Sequence, residues 1–253
     1  MRIYEHDLIK RLQTEMPRGA PFGLAELQQL GISPQLAAYY VSSGWLQRLG
    51  QGVYGFCNDN LSQDSTLIYL QSHIKGLHIA GKSALSAHGV RHNLGIKPVI
   101  VLWGDVRVRL PEWFLVRFPA RYVYATLFKP SSTDFNLTEA SILVPPSAPA
   151  NLAVSSPERA VLEMLYEVGT HQGLEEARNI FDGLQPLRKE LLGKLLCGCT
   201  SIKAIRLFLK WARETSLVDV DELLHQFQIP RGSDKRWMTR LPDGTLLSLG
   251  PEG

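Results

Sequence analysis

The 253-residue sequence predicts an α+β fold in two parts. Three observations predict it. Near the amino end, helical patterns give way to two short strand patterns around closely spaced glycines. Between residues 99 and 144 the texture is of strands punctuated by prolines. From residue 156 onward, helical periodicity returns in five successive stretches.

Residues 4–16 form an amphipathic helix, because Leu8, Ile9, Leu12 and Met16 recur at helical spacing. Pro17-Arg18-Gly19 ends it. Residues 24–30 make a short second helix, with Leu24, Leu27 and Leu30 on one face, and Gly31 supplies the turn after it. Ser33 caps a third helix whose first position is Pro34, where a missing N–H costs nothing. That helix ends near Gly44. Leu36, Tyr40 and Val41 fall on its inward face; Gln35, Ala38, Tyr39 and Ser42 fall outward. Residues 45–49 and 53–56 are two strands joined by Gly50-Gln51-Gly52, which has the glycines of a tight hairpin.

Helix, turn, helix and hairpin in that order describe a winged helix-turn-helix. Its second helix lies in a DNA major groove and its wing touches the backbone alongside. Gln35, Tyr39 and Ser42 are the candidates for base edges or phosphates, since a glutamine can hold adenine through two hydrogen bonds. Gln47, Arg48 and Gln51 are the candidates for phosphates on the wing, and Arg18 flanks them. The outward helix face carries no Lys or Arg, so a module that binds protein rather than DNA stays open.

A polar, turn-rich stretch, 57–65, divides the chain into a DNA-binding domain, 1–57, and a body, 65–253. Net charge is +3 and apolar content is 45%, values that permit nucleic-acid contact without demanding it. The amino end lacks a signal-peptide core, and no run reaches the ~20 apolar residues of a membrane span, so a cytoplasmic location is expected. Cys57, Cys197 and Cys199 are expected to be free thiols in a reducing compartment.

In the body, residues 66–75 read as a helix. Gly76, Gly81, Lys82 and Ser83 then match the phosphate-loop pattern letter for letter. Such a loop would make a nucleotide-binding switch, with Lys82 on the phosphates and Ser83 on magnesium. Its context argues otherwise. A helix precedes it rather than a strand, Leu77-His78-Ile79-Ala80 reads as a strand rather than a supple loop, and Asp105 comes early for the metal partner. The plainer reading is a short strand and a helix packing through Ala84, Leu85 and Ala87. His78, His88 and His92, and the Cys197/Cys199 pair, lack the partners of a metal site, and no cofactor is expected.

Strands are expected at VIVLW (99–103), RVRL (107–110), FLVRF (114–118) and YVYATLFK (122–129). Lys97, Arg107, Arg109, Arg117, Arg121 and Lys129 face Asp105 and Glu112 over 97–129, a balance of 6 − 2 = +4. Arginines alternating along strands belong to the wet face of a half-buried sheet; a second nucleic-acid or partner surface is the sharper alternative. PPSAPA (145–150) is a connector, and 152–154 a short strand. Helices are expected at 156–167, 174–184, 186–196, 201–215 and 220–227. The first opens with Ser156, Pro157 and Glu158, the last two suited to a helix start. Along 202–213, Ile202, Ile205, Leu209 and Ala212 share a face, with Lys203, Arg206, Lys210 and Arg213 off it. Asp219, Asp221 and Glu222 suit the start of the last helix rather than a catalytic cluster. A basic tail, 231–240, precedes a hairpin-like LPDGTLLSL with its turn at Asp243-Gly244. No nucleophile elbow and no metal-nuclease motif occurs, and no enzymatic activity is expected.

Five pieces in this order resemble the AbiEi-type antitoxins of bacterial type IV toxin–antitoxin systems, which act in abortive infection. They are GWLQRLGQGVYGF (44–56), SALSAHG (83–89), VSSPERAVLEMLYE (154–167), IKAIRLFLKWA (202–212) and PRGSDKRWM (230–238). The resemblance implies a transcriptional autorepressor whose amino-terminal domain binds inverted repeats in its own promoter, on double-stranded DNA; a dimer on DNA is one way to fill such a repeat, and the sequence leaves the oligomeric state open. It implies a body, 65–253, that counters a nucleotidyltransferase-like toxin. Under it, Gln35, Tyr39 and Ser42 match the recognition-helix face. Arg48 and Gln51 match basic wing positions, although the family more often has arginine where Gln51 stands.

Overall fold

Ser33 accepts a hydrogen bond from Leu36 N at 3.2 Å, and that cap starts the helix on which the amino-terminal part of the protein turns. The structure, a computed structural model, describes residues 2–90, 99–129, 140–145, 148–242 and 244–251, with side chains from residue 7. His92, Lys97, Pro98, Pro130 and Asp243 lie outside them.

Two units are built from this chain: Met1–Lys75 with Val108–Pro119, and Gly76–Arg107 with Ala120–Gly253. In the first, α1 (Arg2–Glu15), β1 (Phe22–Gly23), α2 (Leu24–Gln29) and α3 (Pro34–Ser42) lead into β2 (Leu46–Gly50) and β3 (Val53–Phe56). The three strands form one antiparallel sheet in the order β1-β3-β2, with Phe22 opposite Tyr54 and Leu46 opposite Phe56. Their inward side chains meet those of the helices in one core of Leu12, Phe22, Leu27, Ile32, Tyr40 and Phe56 with their neighbours. At about 25 cal/mol per Å² of apolar surface buried, each of these large side chains contributes on the order of 2 kcal/mol. Gly31 at φ +83° and Gly44 at φ +79° close the two helices in the left-handed region.

The stretch 57–65, expected as a linker, is hydrogen-bonded within this unit. Asp59 accepts from Gly19 N at 2.9 Å, and Ser62 N donates to Gly19 O at 2.8 Å. It leads into α4 (Gln63–His73), capped by Ser62. The unit is completed by residues from later in the chain. In Val108–Pro119 the sequence predicts strand at 107–110 and 114–118. The first of these has no regular structure, and the second overlaps a single helical turn, α6 (Glu112–Leu115), so both expectations are corrected. The physical reason is the aromatic spacing. Phe114 is fully buried, with ring centroids 6.4 Å from Trp113 and 5.7 Å from Phe118, and Pro111 sets up the turn as its first cap. Apolar residues four apart suit one helical face, and the prolines at 111 and 119 keep the stretch out of a ladder.

In the second unit a five-stranded sheet runs β6-β5-β4-β8-β7, made of β4 (His78–Ile79), β5 (Ile100–Gly104), β6 (Ala120–Tyr124), β7 (Ile142–Leu143) and β8 (Val154–Ser155). Strand β5 is buried at every position and pairs in parallel with β6 and antiparallel with β4. That double burial explains its unbroken apolar run. Helix α5 (Gly81–Ala87) and helix α7 (Pro157–Glu167) pack together, and α7 also packs on α10 (Ile202–Thr215). Between them in sequence lie α8 (Leu174–Asp182) and α9 (Lys189–Gly198), and α11 (Val220–Gln226) follows. Asp219 caps α11, accepting from Glu222 N at 2.9 Å. The basic tail forms a hairpin, β9 (Trp237–Arg240) with β10 (Leu246–Leu249), and Gly244 at φ +86° lies in its turn.

Arg206, expected off the apolar face of α10, is 1% exposed. Its guanidinium donates to the carbonyls of Arg231 at 2.8 Å, Lys235 at 2.9 Å and Ser233, which rivets the tail onto the helix. Helical spacing identifies the face that meets the core but not a side covered later by returning chain.

Candidate nucleic-acid interface

Helix α3 turns two different faces to its surroundings. Ala37 and Tyr40 are fully buried, while Gln35, Ala38, Tyr39 and Ser42 are exposed. Tyr39 keeps 55% of its surface open. The inward face differs from expectation in one respect: Ala37 is buried there, and Leu36 and Val41 are only partly buried against the core. Ser42 Oγ donates to Tyr39 O at 2.9 Å, so its hydroxyl is tied to the helix while its oxygen can still accept.

The wing follows directly. Gln47 is half-buried, and its amide donates to Phe56 O at 2.9 Å across the hairpin. That bond orients the strand and uses one of the two amide hydrogens, leaving the other able to donate. Arg48 is exposed, and its Nε donates to Gly50 O at 3.3 Å, leaving the rest of the fork outward. Gln51 is exposed at the tip, and Gly52 at φ +69° makes the turn possible. A bulge between Arg48 and Gly50 twists the strand end there. Arg18 also holds the fold together. Its Nη1 meets Asp59 Oδ1 at 3.1 Å, and the guanidinium lies 4.2 Å from the Phe56 ring centroid. Its side chain is still 57% exposed.

Further groups lie in the same unit, and of these sequence reasoning passed over Trp45 and Trp113. Trp45, at the root of the wing, is 44% exposed. Trp113 covers Gly50: a Cβ built on that glycine would stand 2.9 Å from the indole Cδ1. Arg109 and Arg117 are exposed on the same 108–119 segment. The sequence already offers the two arginines as part of a second nucleic-acid or partner surface, although their alternation suggests a sheet face; Pro111 and Pro119 are the local signal against a strand.

The phosphate-loop letters are engaged elsewhere. Gly81 N donates to Glu163 Oε2 at 3.0 Å, Lys82 Nζ meets Glu176 Oε1 at 2.8 Å, and Ser83 Oγ accepts from Val101 N at 2.9 Å. The amide of Gly81, the lysine and the serine thus all serve the fold. A Cβ at Gly76 would collide with the Asp105 carboxylate. The adjoining pocket, lined by His78, Asp105, Thr126 and Arg159 among others, has about 80 Å³ of space, well under the several hundred Å³ typical of small-molecule sites. Glu163 is the hub of the region, accepting also from Ser155 Oγ at 2.8 Å, Arg159 Nε at 2.7 Å and His78 Nε2 at 3.2 Å. Burial alone would raise its pKa; the hydrogen bonds and charges of His78 and Arg159 outweigh it and hold the carboxyl at about 2. His88 bonds to Ser155 O at 2.9 Å. Among the described residues no group of three or more His, Cys, Asp and Glu side chains could hold a metal ion, and no helix is long and apolar enough to cross a membrane.

A three-helix core carrying a hairpin wing, with the second helix of its helix-turn-helix open to solvent, defines a winged helix-turn-helix protein with an α+β body. Comparison with known families names the group. The family described as transcriptional regulator, AbiEi antitoxin, type IV toxin–antitoxin system matches residues 97–248, and the AbiEi antitoxin amino-terminal domain matches residues 5–96. The chain therefore belongs to the AbiEi antitoxin family of transcriptional regulators. Among solved structures, the RV2827C protein from Mycobacterium tuberculosis superposes with a TM-score of 0.56 at 17% identity, covering 92% of this chain and 87% of that one. At that identity the likeness concerns the fold. No curated protein matches the chain in sequence.

Proposed function

We propose that the protein is a non-enzymatic, cytoplasmic autorepressor and antitoxin that binds inverted repeats in its own promoter and counters a nucleotidyltransferase-like toxin. The observation that carries this reading is the open face of α3 beside the wing. Gln35, Tyr39 and Ser42 are exposed on a helix whose other face is locked in the core, as a groove-reading helix requires. In this reading Gln35 reads a base edge, and Tyr39 and Ser42 contact base edges or phosphates. Gln47, Arg48, Gln51 and the outer edge of Arg18 position the duplex through its backbone. Residues 1–57 supply the DNA contacts, 65–253 the antitoxic function, and two copies occupy one repeat pair.

The test is a gel shift of the full-length protein on the fragment upstream of its own gene. Retardation at low salt that exceeds that of an unrelated duplex is expected; none would refute DNA binding. A second reading has one observation behind it: Tyr39 and Trp45 are large aromatics left open at 55% and 44%. Such side chains also anchor protein interfaces. If the DNA fragment does not shift while the toxin encoded beside it co-purifies and Tyr39→Ala releases it, that reading replaces the first.

A further inference from the structure

We propose that segment 108–119 is the second half of a phosphate clamp, with Arg117 and Arg109 gripping the DNA backbone beside the phosphate reached by Arg48. The proposal rests on the DNA-binding reading above and extends it to residues that lie far from the wing in sequence. Its basis is a chain of contacts. The indole of Trp113 lies against Gly50, where a Cβ would meet Cδ1 at 2.9 Å and Nε1 at 3.1 Å. Gly50 does not have positive φ. Glycine is needed there for the close approach of Trp113 rather than for the turn. The carbonyl of Gly50 accepts from Arg48 Nε at 3.3 Å, and the carbonyl of Trp113 accepts from Arg117 Nη1 at 2.8 Å. Two exposed guanidinium groups are thus each anchored on one partner of a single contact.

Both arginines have charge to spare. Among the described residues neither Arg48 nor Arg117 forms an ion pair, and Arg109 is exposed and forms none either. By contrast Arg11 is committed to Glu15 and Arg18 to Asp59. The segment holds one acid, Glu112, in the first turn of α6, so its balance is 2 − 1 = +1. An arginine fork matches phosphate oxygens in a way that a lone ammonium does not. A wing tip is also the part of this fold that lies along the sugar–phosphate backbone, which selects phosphate over an acidic protein surface as the occupant. Anchoring each guanidinium on a carbonyl reduces the entropy lost when it binds, so the pair is organised before DNA arrives.

The experiment uses the full chain and fluorescence anisotropy on two duplexes, one from upstream of its gene and one scrambled, over about 50 to 200 mM salt. Each lost phosphate contact removes about 0.9 from the slope of log affinity against log salt, or about five- to ten-fold in affinity near 0.1 M. The Arg109→Ala, Arg117→Ala double variant is expected to bind both duplexes less tightly by the same factor, with a slope shallower by about 1.8. The corresponding double lysine variant is expected to restore the slope, which a loss of packing would not do. Wild-type affinity and slope in the double alanine variant, with Arg48→Ala still impaired, would overturn the clamp and leave the DNA-binding reading standing. A slope that the lysines fail to restore would also overturn it. No binding by the unaltered protein at low salt would overturn both readings.

Discussion

Replacing Glu163 with Gln exposes how the second unit is held together. The carboxylate accepts at Oε1 from His78, Arg159 and Ser155, and at Oε2 from Gly81 N and Ser155. An amide keeps one acceptor oxygen and turns the other position into a donor. Its NH₂ placed at Oε1 would face the N–H of Arg159, so it must sit at Oε2, where it opposes the N–H of Gly81. The serine hydroxyl can rotate to accept; the backbone N–H cannot. One buried N–H then loses its partner, at about 1–3 kcal/mol. The Arg159 charge, on a side chain 12% exposed, also loses its counter-charge, and breaking a buried pair costs roughly 3–5 kcal/mol. These losses overlap, and we expect about 4 kcal/mol in all, or a fall in Tm of roughly 10 °C for a chain of this size. Thermal unfolding followed by circular dichroism at neutral pH measures it. The acid limb gives a second readout. The folded pKa, about 2, lies below the ordinary 4.5, so the carboxylate's stabilisation is present above 4.5 and is lost as pH falls through about 2. The size of the shift corresponds to about 3 kcal/mol. The wild type should therefore lose stability relative to the variant over that window. A variant within about 1 kcal/mol of wild type at neutral pH, with an unchanged acid limb, would refute the idea that Glu163 organises the region.

Arg48→Ala should weaken binding to every duplex by a similar factor, because a phosphate contact carries no base information; anisotropy across operator variants measures it, with a slope change of about 0.9. Gln35→Ala should instead act at one base position, costing about 1–3 kcal/mol of discrimination there, which competition with single-substitution operators would reveal. Gly50→Ala places a methyl against the Trp113 indole and should cost about 1–3 kcal/mol in chemical denaturation, as overpacking does.

The elements that were legible in the sequence were set by local chemistry. Ser33-Pro34 starts α3 through a cap and a ready-made φ, and Gly31, Gly44 and Gly52 all adopt the positive φ their turns require. These effects need no knowledge of the rest of the chain. What failed depended on distant chain. Residues 107–110 and 114–118 look like alternating strands, yet this stretch supplies a helical turn that buries Phe114. Arg206 looks solvated on a helical wheel, but the carbonyls of residues 231–235 come back to cover it. Glu158 suits a helix start by its charge alone. It is also buried against Arg188, whose hydrogen bonds hold its pKa down against the opposing effect of burial. In the site, the exposed face of α3 and the wing could be picked out from local pattern, but Trp113 could not, because no such pattern links residue 113 to residue 50.

The charge distribution bears on how such a protein would choose its operator. The outward face of α3 has no cation, so under the proposed DNA-binding reading its contacts to bases are neutral and its affinity comes from elsewhere. If Arg48, Arg109 and Arg117 each neutralise one phosphate, one copy has a salt slope of roughly −2.7, which is modest. A single copy would then bind weakly at physiological salt. Two copies on adjoining half-sites double the slope and convert the second binding event into an intramolecular one, with a gain of roughly 10²–10⁴. Weak single-site binding thereby favours inverted repeats over isolated half-sites. An added wing contact, with arginine in place of Gln51, would count once on a lone half-site and twice on the full repeat. Gln51→Arg is therefore expected to steepen the salt slope by about 0.9 on a lone half-site and about 1.8 on the full repeat, and an equal change on the two duplexes would contradict the argument.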